Sequence, residues 1–233
     1  MALGAGGVVA AAGTGGGLPR GAEPVTLDPA AFTTRITNPW WPMRPGTRWV
    51  SRSTEPDGTR QRIVVTVTRD TVLTAAGVRA RVVRDTARED GRLVEDTRDL
   101  YAQHRDGTLW YLGERTAEYR DGRVVSTEGS WEAGVDGAQA GVIMPAHPRP
   151  GQRYRQEWLA GHAEDEASTL AVGQQAETPA GHFRDVVMTR EVSPLEPDAL
   201  EFKLYARGVG PVLAVEVSGG AAREELVRVR RGR

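Results

Sequence analysis

From Thr47 onward, hydrophobic and polar residues alternate, and no long stretch recurs every three or four positions. In Arg62–Thr68, Ile63, Val65 and Val67 share one face while Arg62, Thr66 and Thr68 share the other. That period of two predicts a half-buried strand. Asp57-Gly58, Asp90-Gly91, Asp106-Gly107 and Asp121-Gly122 each separate β-compatible runs. Asp-Gly supplies the positive φ values of tight hairpins, so the spacing predicts an antiparallel meander. The nearest approach to a helical pattern is Ala163–Leu170, which fits strand or helix. Before the strands, residues 19–37 read as an extended lead-in with a helix start at Asp28-Pro29. Asn38–Gly46, NPWWPMRPG, is interrupted by proline too often to be a helix interior. Trp40 and Trp41 are adjacent and point to opposite faces of an extended chain. They read as a plug closing a barrel end, with a stacking platform for a sugar or aromatic ligand as the alternative; the apolar area of the rings favours the plug.

The pattern repeats. Arg44-Pro45-Gly46-Thr47-Arg48-Trp49 matches Arg149-Pro150-Gly151-Gln152-Arg153-Tyr154 at an offset of 105 (149 − 44). Ala76-Gly77 with Val82-Val83 matches Ala180-Gly181 with Val186-Val187 at 104 (180 − 76), and Leu100-Tyr101-Ala102 matches Leu204-Tyr205-Ala206, again at 104 (204 − 100). A period this long means two large units, since solenoid repeats run about 20–50 residues. The predicted fold is all-β, an antiparallel barrel-like or sandwich fold from two pseudo-repeated β-meanders sharing one core. The units span about 42–127 and 148–230 of a single domain, 19–233, joined by a connection at 128–147.

Composition narrows the function classes. The chain has 233 residues and no cysteine, which removes disulfides, thiolate metal sites, thiol nucleophiles and a Cys-linked lipid anchor. Formal net charge is −1, and no basic stripe with interleaved aromatics points to nucleic acid. Lys203 is the only lysine among 30 basic residues, which reads as a base-composition bias. Residues 1–18, MALGAGGVVAAAGTGGGL, carry no charge and are too short and weakly apolar to span a bilayer. They read as an export-signal remnant with small residues at Ala10–Ala12, or as a Gly/Ala tail. The run GAGGVVA has no strand before it and no βαβ unit after it, so it is not a dinucleotide fingerprint. No feature specifies an oligomeric state.

His104, His147, His162 and His182 form no HExxH or other local metal pattern, and no serine sits in a G-x-S-x-G elbow. Carboxylates are the stronger candidates. Glu128, Glu132 and Asp136 lie in the connection, and Glu164, Asp165 and Glu166 follow the second Arg-Pro-Gly, with Trp131 and Trp158 flanking them. An aromatic wall raises a carboxyl pKa by desolvation, and a second carboxylate raises one member of a pair further, which separates acid from base roles. The same oxygens suit Ca²⁺; a solvated acidic surface paired with arginines is the plain alternative. The site candidates are therefore Glu132, Asp136, Glu164 and Asp165, with Trp131 beside them, expected to cluster at one rim.

The runs GSWEAGVDGA, IMPAHPRPG, YRQEW and AEDEA, with LYARGVGPVL near the end, resemble a family of uncharacterised exported bacterial β-proteins over roughly residues 38–227. The family pattern contains Trp131, Glu132, Asp136, Glu164 and Asp165, while the four histidine positions are outside it. The resemblance implies export and a β fold and carries no catalytic roles. Three functions remain open: an exported barrel that binds a small molecule or metal, a carboxylate-dependent enzyme acting on a neutral substrate such as a sugar, and a structural cell-envelope protein. A deep pocket favours the first two, and a dry, closed interior favours the third.

Overall fold

The structure, a computed structural model, describes residues 17–232. The export-like stretch 1–18 therefore lies outside the described residues except for Gly17 and Leu18; Leu18 packs against buried Val142, Tyr154 and Ala167. The first half forms β1 (Phe32–Thr33), β2 (Arg48–Thr54), β3 (Arg60–Leu73), β4 (Arg79–Glu89), β5 (Arg92–His104), β6 (Leu109–Arg115), β7 (Glu118–Arg120), β8 (Arg123–Ser126), β9 (Trp131–Glu132) and β10 (Gln139–Met144). The second forms β11 (Arg153–Arg155), β12 (Glu157–Trp158), β13 (Glu166–Thr178), β14 (Gly181–Ser193), β15 (Glu196–Ala206), β16 (Gly210–Ser218) and β17 (Arg223–Arg230). β11 and β12 are one strand bent at Gln156.

Local sequence accounts for these elements. Asp90 and Gly91 have φ of 47° and 81°, and Asp121 and Gly122 have 51° and 74°. Two successive positive φ values are the signature of type I′ hairpins, whose twist suits flanking strands. Asp57-Gly58 and Asp106-Gly107 fall in the β2–β3 and β5–β6 turns. The helix start at Asp28 is a single 3-10 turn, Pro29–Ala31, capped by the Asp28 side chain accepting from the Ala30 N–H. Ala163–Leu170 leads into β13, and no α-helix occurs among the described residues.

All pairings are antiparallel and close into a ring. β2 to β6 pair in succession, β6 pairs with β10, β10 with β12, β11 with β13, β13 to β17 in succession, and β17 with β2. Closure covers most strand edges, which an open antiparallel sheet would expose; β13 beyond Thr169 pairs on one side only, with β14. Each half runs the same course. The last strand of one half, β10 or β17, pairs with the first strand of the other, and β10 falls inside the stretch read as the connection. The halves also carry the same irregularity: β5–β6 shifts register between Leu100 and Tyr101, and β15–β16 shifts between Leu204 and Tyr205.

The two seams differ. β17 pairs with β2 from Arg223 to Arg230, whereas β10 pairs with β12 only at Gln139↔Trp158 and Ala140↔Glu157. Arg155 braces the short seam from a fully buried position. Its Nε donates to the Ala140 carbonyl at 3.0 Å and Nη1 to the Gly21 carbonyl at 2.8 Å and to the Glu23 carbonyl, tying the lead-in to the barrel wall. Gly141 is needed there, because a Cβ would run into the Gln156 carbonyl.

One end of the barrel is plugged by Asn38–Gly46. The Asn38 amide donates to the Gly107, Met144 and Pro145 carbonyls at 3.0, 3.3 and 3.2 Å. Trp40 is buried, with the Arg207 guanidinium 5.2 Å from its ring centroid. Trp41 enters from the plug and lies between Tyr101 and Tyr205, centroids 5.7 and 5.8 Å away. Both tryptophans thus form the plug.

Candidate functional site

Above the plug the barrel holds a cavity of about 270 Å³. Strand alternation explains its lining: Tyr101 turns inward to meet Trp41, so Asp99, two residues earlier on β5, turns inward too. The same holds for Tyr205 and Lys203 on β15. The floor is aromatic. Tyr101 stacks on Tyr111 with centroids 4.9 Å apart, and Tyr111 meets Trp131 edge-on at 5.2 Å. The walls carry the carboxyls of Asp85, Asp99, Glu114, Glu157, Asp165, Glu191 and Glu224, against one cation, Lys203. A smaller pocket of about 200 Å³ shares Asp165, Glu191 and Lys203 with the cavity and lies between the outer ends of β14, β15 and β16.

The pairing register makes the two halves directly comparable. Val83 pairs with Asp99, which pairs with Glu114, while Asp85 pairs with Thr97. In the second half Thr189 pairs with Lys203, which pairs with Ala214, while Glu191 pairs with Glu201. Asp85 thus corresponds to Glu191, Asp99 to Lys203, Thr97 to Glu201 and Glu114 to Ala214. The register sets Val83 against Thr189, so the sequence match of Val82-Val83 to Val186-Val187 is displaced by two residues. A shift of two keeps every side chain on its own face.

The second wall is ion-paired. Lys203 Nζ lies 2.8 Å from Glu191 Oε2 and 3.0 Å from Glu201 Oε2. Glu191 Oε1 accepts from the Thr189 hydroxyl at 2.8 Å. Burial pulls the Lys203 ammonium down, but Glu191 and Glu201 outweigh it and hold it well above the usual lysine value.

The first wall has no cation. Tyr111 Oη lies 2.6 Å from Asp99 Oδ1 and 2.8 Å from Glu114 Oε2. One phenolic hydrogen serves only one of these contacts, so the other requires a protonated carboxyl that donates to the phenol oxygen. Burial, reinforced by Glu114, pushes Asp99 well above the carboxylate range, and burial raises Glu114 to about 6 despite its bond from Tyr111. Asp85 lines the cavity with a buried Oδ1 that accepts no hydrogen bond from any described residue. Burial, then the Glu224 and Glu95 charges, raise Asp85 to about 7. Glu157 accepts from the Trp131 indole N–H at 2.6 Å. Burial, then Asp165 and Glu114, raise it to about 8.

Of the five candidates read from the sequence, Trp131 and Asp165 reach this cavity: Trp131 through Tyr111 and Glu157, Asp165 as part of the lining shared with the smaller pocket. Burial raises the Asp165 carboxyl, against the bond from Ser193. The other three are held elsewhere. Glu132 accepts from the Ala75 N–H at 2.8 Å and from Arg115 at 2.9 Å, outside the barrel wall. Asp136 is an exposed turn residue with φ 49°. Glu164 accepts from the Gly161 N–H at 2.6 Å, closing its own turn. Glu132 and Glu164 are taken up by backbone N–H groups in Gly-containing loops and Asp136 occupies an exposed turn, so these acids do not converge. Among the described residues no group of three or more His, Asp or Glu side chains is arranged to hold a metal ion.

Sequence reasoning passed over Asp85, Asp99, Glu114, Glu157 and Lys203. The available signal was the repeated Leu-Tyr-Ala: a charged residue stands two positions before each inward tyrosine, acidic in one half and the chain's sole lysine in the other.

No protein-family model and no curated protein matches the chain. Two solved structures are similar over 82% of this chain and 98% of theirs. One is a candidate exported protein with a YmcC-like fold from Bacteroides fragilis, at 15% identity and a TM-score of 0.48. The other is a candidate lipoprotein from Parabacteroides distasonis, at 11% identity and a TM-score of 0.46. No helix among the described residues is long and apolar enough to cross a membrane.

Proposed function

We propose that the protein is an exported binding protein that holds a small molecule inside the barrel. The observation that carries this reading is the interior cavity itself. Barrels that serve only as structure fill the interior with side chains. This one has about 270 Å³ above its plug, lined by seven carboxyls and one lysine, with Asp85 Oδ1 left without a partner among the described residues. Ligand pockets run roughly 300–1,000 Å³, so the volume suits a small metabolite rather than a lipid. Export is supported by the charge-free Gly/Ala start of the chain.

A thermal-shift screen of the full chain against a metabolite library tests the reading, because a ligand that binds only the folded state raises its apparent stability. Ala214 lines the cavity and Ala214→Phe fills it. At least one compound is expected to raise the melting temperature of the wild type and not of Ala214→Phe. Equal shifts in both proteins, or none in either, would contradict an interior site.

A second reading, a carboxylate-dependent enzyme on a neutral substrate, is favoured by Glu157, raised to about 8 beside Asp165. A protonated carboxyl next to a second one is the arrangement of a general acid. Turnover of an aryl glycoside that is lost in Glu157→Gln would move the assignment to that class.

A further inference from the structure

We propose that the ligand is a small organic cation, an aliphatic amine or diamine, whose ammonium group docks against the Asp85–Asp99–Glu114 wall. The inference rests on the reading of the barrel interior as a small-molecule site and assigns that site its chemical class.

Internal symmetry is the first argument. On the second wall, an acid at Glu191 is answered by the Lys203 ammonium at 2.8 Å. At the corresponding place on the first wall, Asp85 faces Asp99 and Glu114, and no described lysine or arginine lines that part of the cavity. An amine ligand would do on the first wall what Lys203 does on the second.

The second argument is an orphaned acceptor. Asp85 lines the cavity, and its Oδ1 is buried and takes no hydrogen bond from any described residue. Buried polar atoms normally have a partner. An ammonium carries three donors and no acceptor, the complement of a surface made of acceptors.

The third argument is the floor. Tyr101 and Tyr111 stack at 4.9 Å beneath these acids. Aromatic faces attract cations within about 6 Å of the centroid, most strongly where water is excluded. The same floor accepts the methylene chain of an amine. A metal ion fits less well, since it needs convergent ligands and the described residues offer no such group.

Protonation supports the direction of binding. Asp85 and Glu114 keep their protons up to about 7 and about 6, so an incoming cation displaces protons there and binding strengthens as pH rises through 6 to 7.

The test is isothermal titration calorimetry of the full chain at pH 8 with 1,4-diaminobutane, glucose and succinate. Succinate has the length of the diamine and the opposite charge. The diamine is expected to bind saturably at one site, and succinate not at all. Asp85→Asn and Asp99→Asn are each expected to weaken the diamine by at least about tenfold. Asparagine keeps the shape of the aspartate side chain, and far-UV circular dichroism verifies the folding of both variants. Repeating the wild-type titration at pH 6.5, below the Asp85 value of about 7, in phosphate and in ACES, which differ in ionisation enthalpy, reads proton release without any variant. Glucose binding without diamine binding would overturn the cation class and leave the interior site standing. Diamine binding that is unchanged in both variants, or that releases no protons, places the amine elsewhere and overturns the inference. No heat with any probe also overturns the cation class, while the interior site is judged by the Ala214→Phe screen.

Discussion

The two walls of the barrel share a scaffold and differ in charge logic. β4, β5 and β6 present Asp85, Asp99 and Glu114; β14, β15 and β16 present Glu191, Lys203 and Ala214 from matching positions. A lysine in place of one acid and an alanine in place of another turn a proton-holding wall into an ion-paired one. A buried charge is tolerated only when it is paired or neutralised. The second wall meets that requirement with Lys203, and the first meets it by keeping protons. Only the first wall is therefore able to gain from an added cation.

Removing Lys203 breaks the comparison most severely. Lys203→Met leaves Glu191, which is buried, and Glu201 without their cation. Breaking a buried pair from one side costs about 3–5 kcal/mol. Lys203 keeps some exposure to the cavity, so about 2–3 kcal/mol is expected in urea denaturation at pH 8. A loss below about 0.5 kcal/mol would mean that the second wall is not held by its ion pair.

Asp85→Asn acts in the opposite direction and less strongly. A carboxyl whose folded pKa is raised contributes stability below its unfolded value and loses it as pH rises through the folded one. For Asp85 the window runs from 3.8 to about 7. At pH 8 the variant should be more stable than the wild type by about 1 kcal/mol, and at pH 4 the two should be alike. For Glu157 the window runs from 4.5 to about 8. The wild type as a whole should therefore lose stability between pH 4 and pH 8. The raised Lys203 holds its contribution throughout that range, since its stability is lost only above the ordinary lysine value. Urea midpoints that rise with pH across the window would contradict the sign.

The smallest effects are expected outside the cavity. Asp136→Asn, in an exposed turn, should change stability by less than about 0.5 kcal/mol and leave ligand binding unaltered. A loss of binding in that variant would return the site to the connection.

How legible was this in the chain? The β class was, because alternation and Asp-Gly turns are local signals. The pairing of the halves was visible at Arg44-Pro45-Gly46 and at Leu100-Tyr101-Ala102. The site was legible only in part. Trp131 and Asp165 reach the cavity, while Glu132 and Glu164 answer nearby N–H groups or an arginine and Asp136 sits in an exposed turn. Acidic residues in a Gly-rich loop are conspicuous, but such loops use them to close turns. Asp99 and Lys203 look like ordinary polar positions of a half-solvated strand. Only closure of the sheet, a matter of long-range pairing, puts that face inside. Lys203 stood out as the single lysine, and composition alone gave that fact no place in space.

Carbon-detected NMR titration of the side-chain carboxyls tests the central claim most directly, since it requires no ligand. Asp85 and Glu114 should titrate near pH 7 and pH 6, above the ordinary aspartate and glutamate values of 3.8 and 4.5. If both titrate near pH 4 with the exposed groups, the first wall does not hold protons, and the contrast between the walls falls with it.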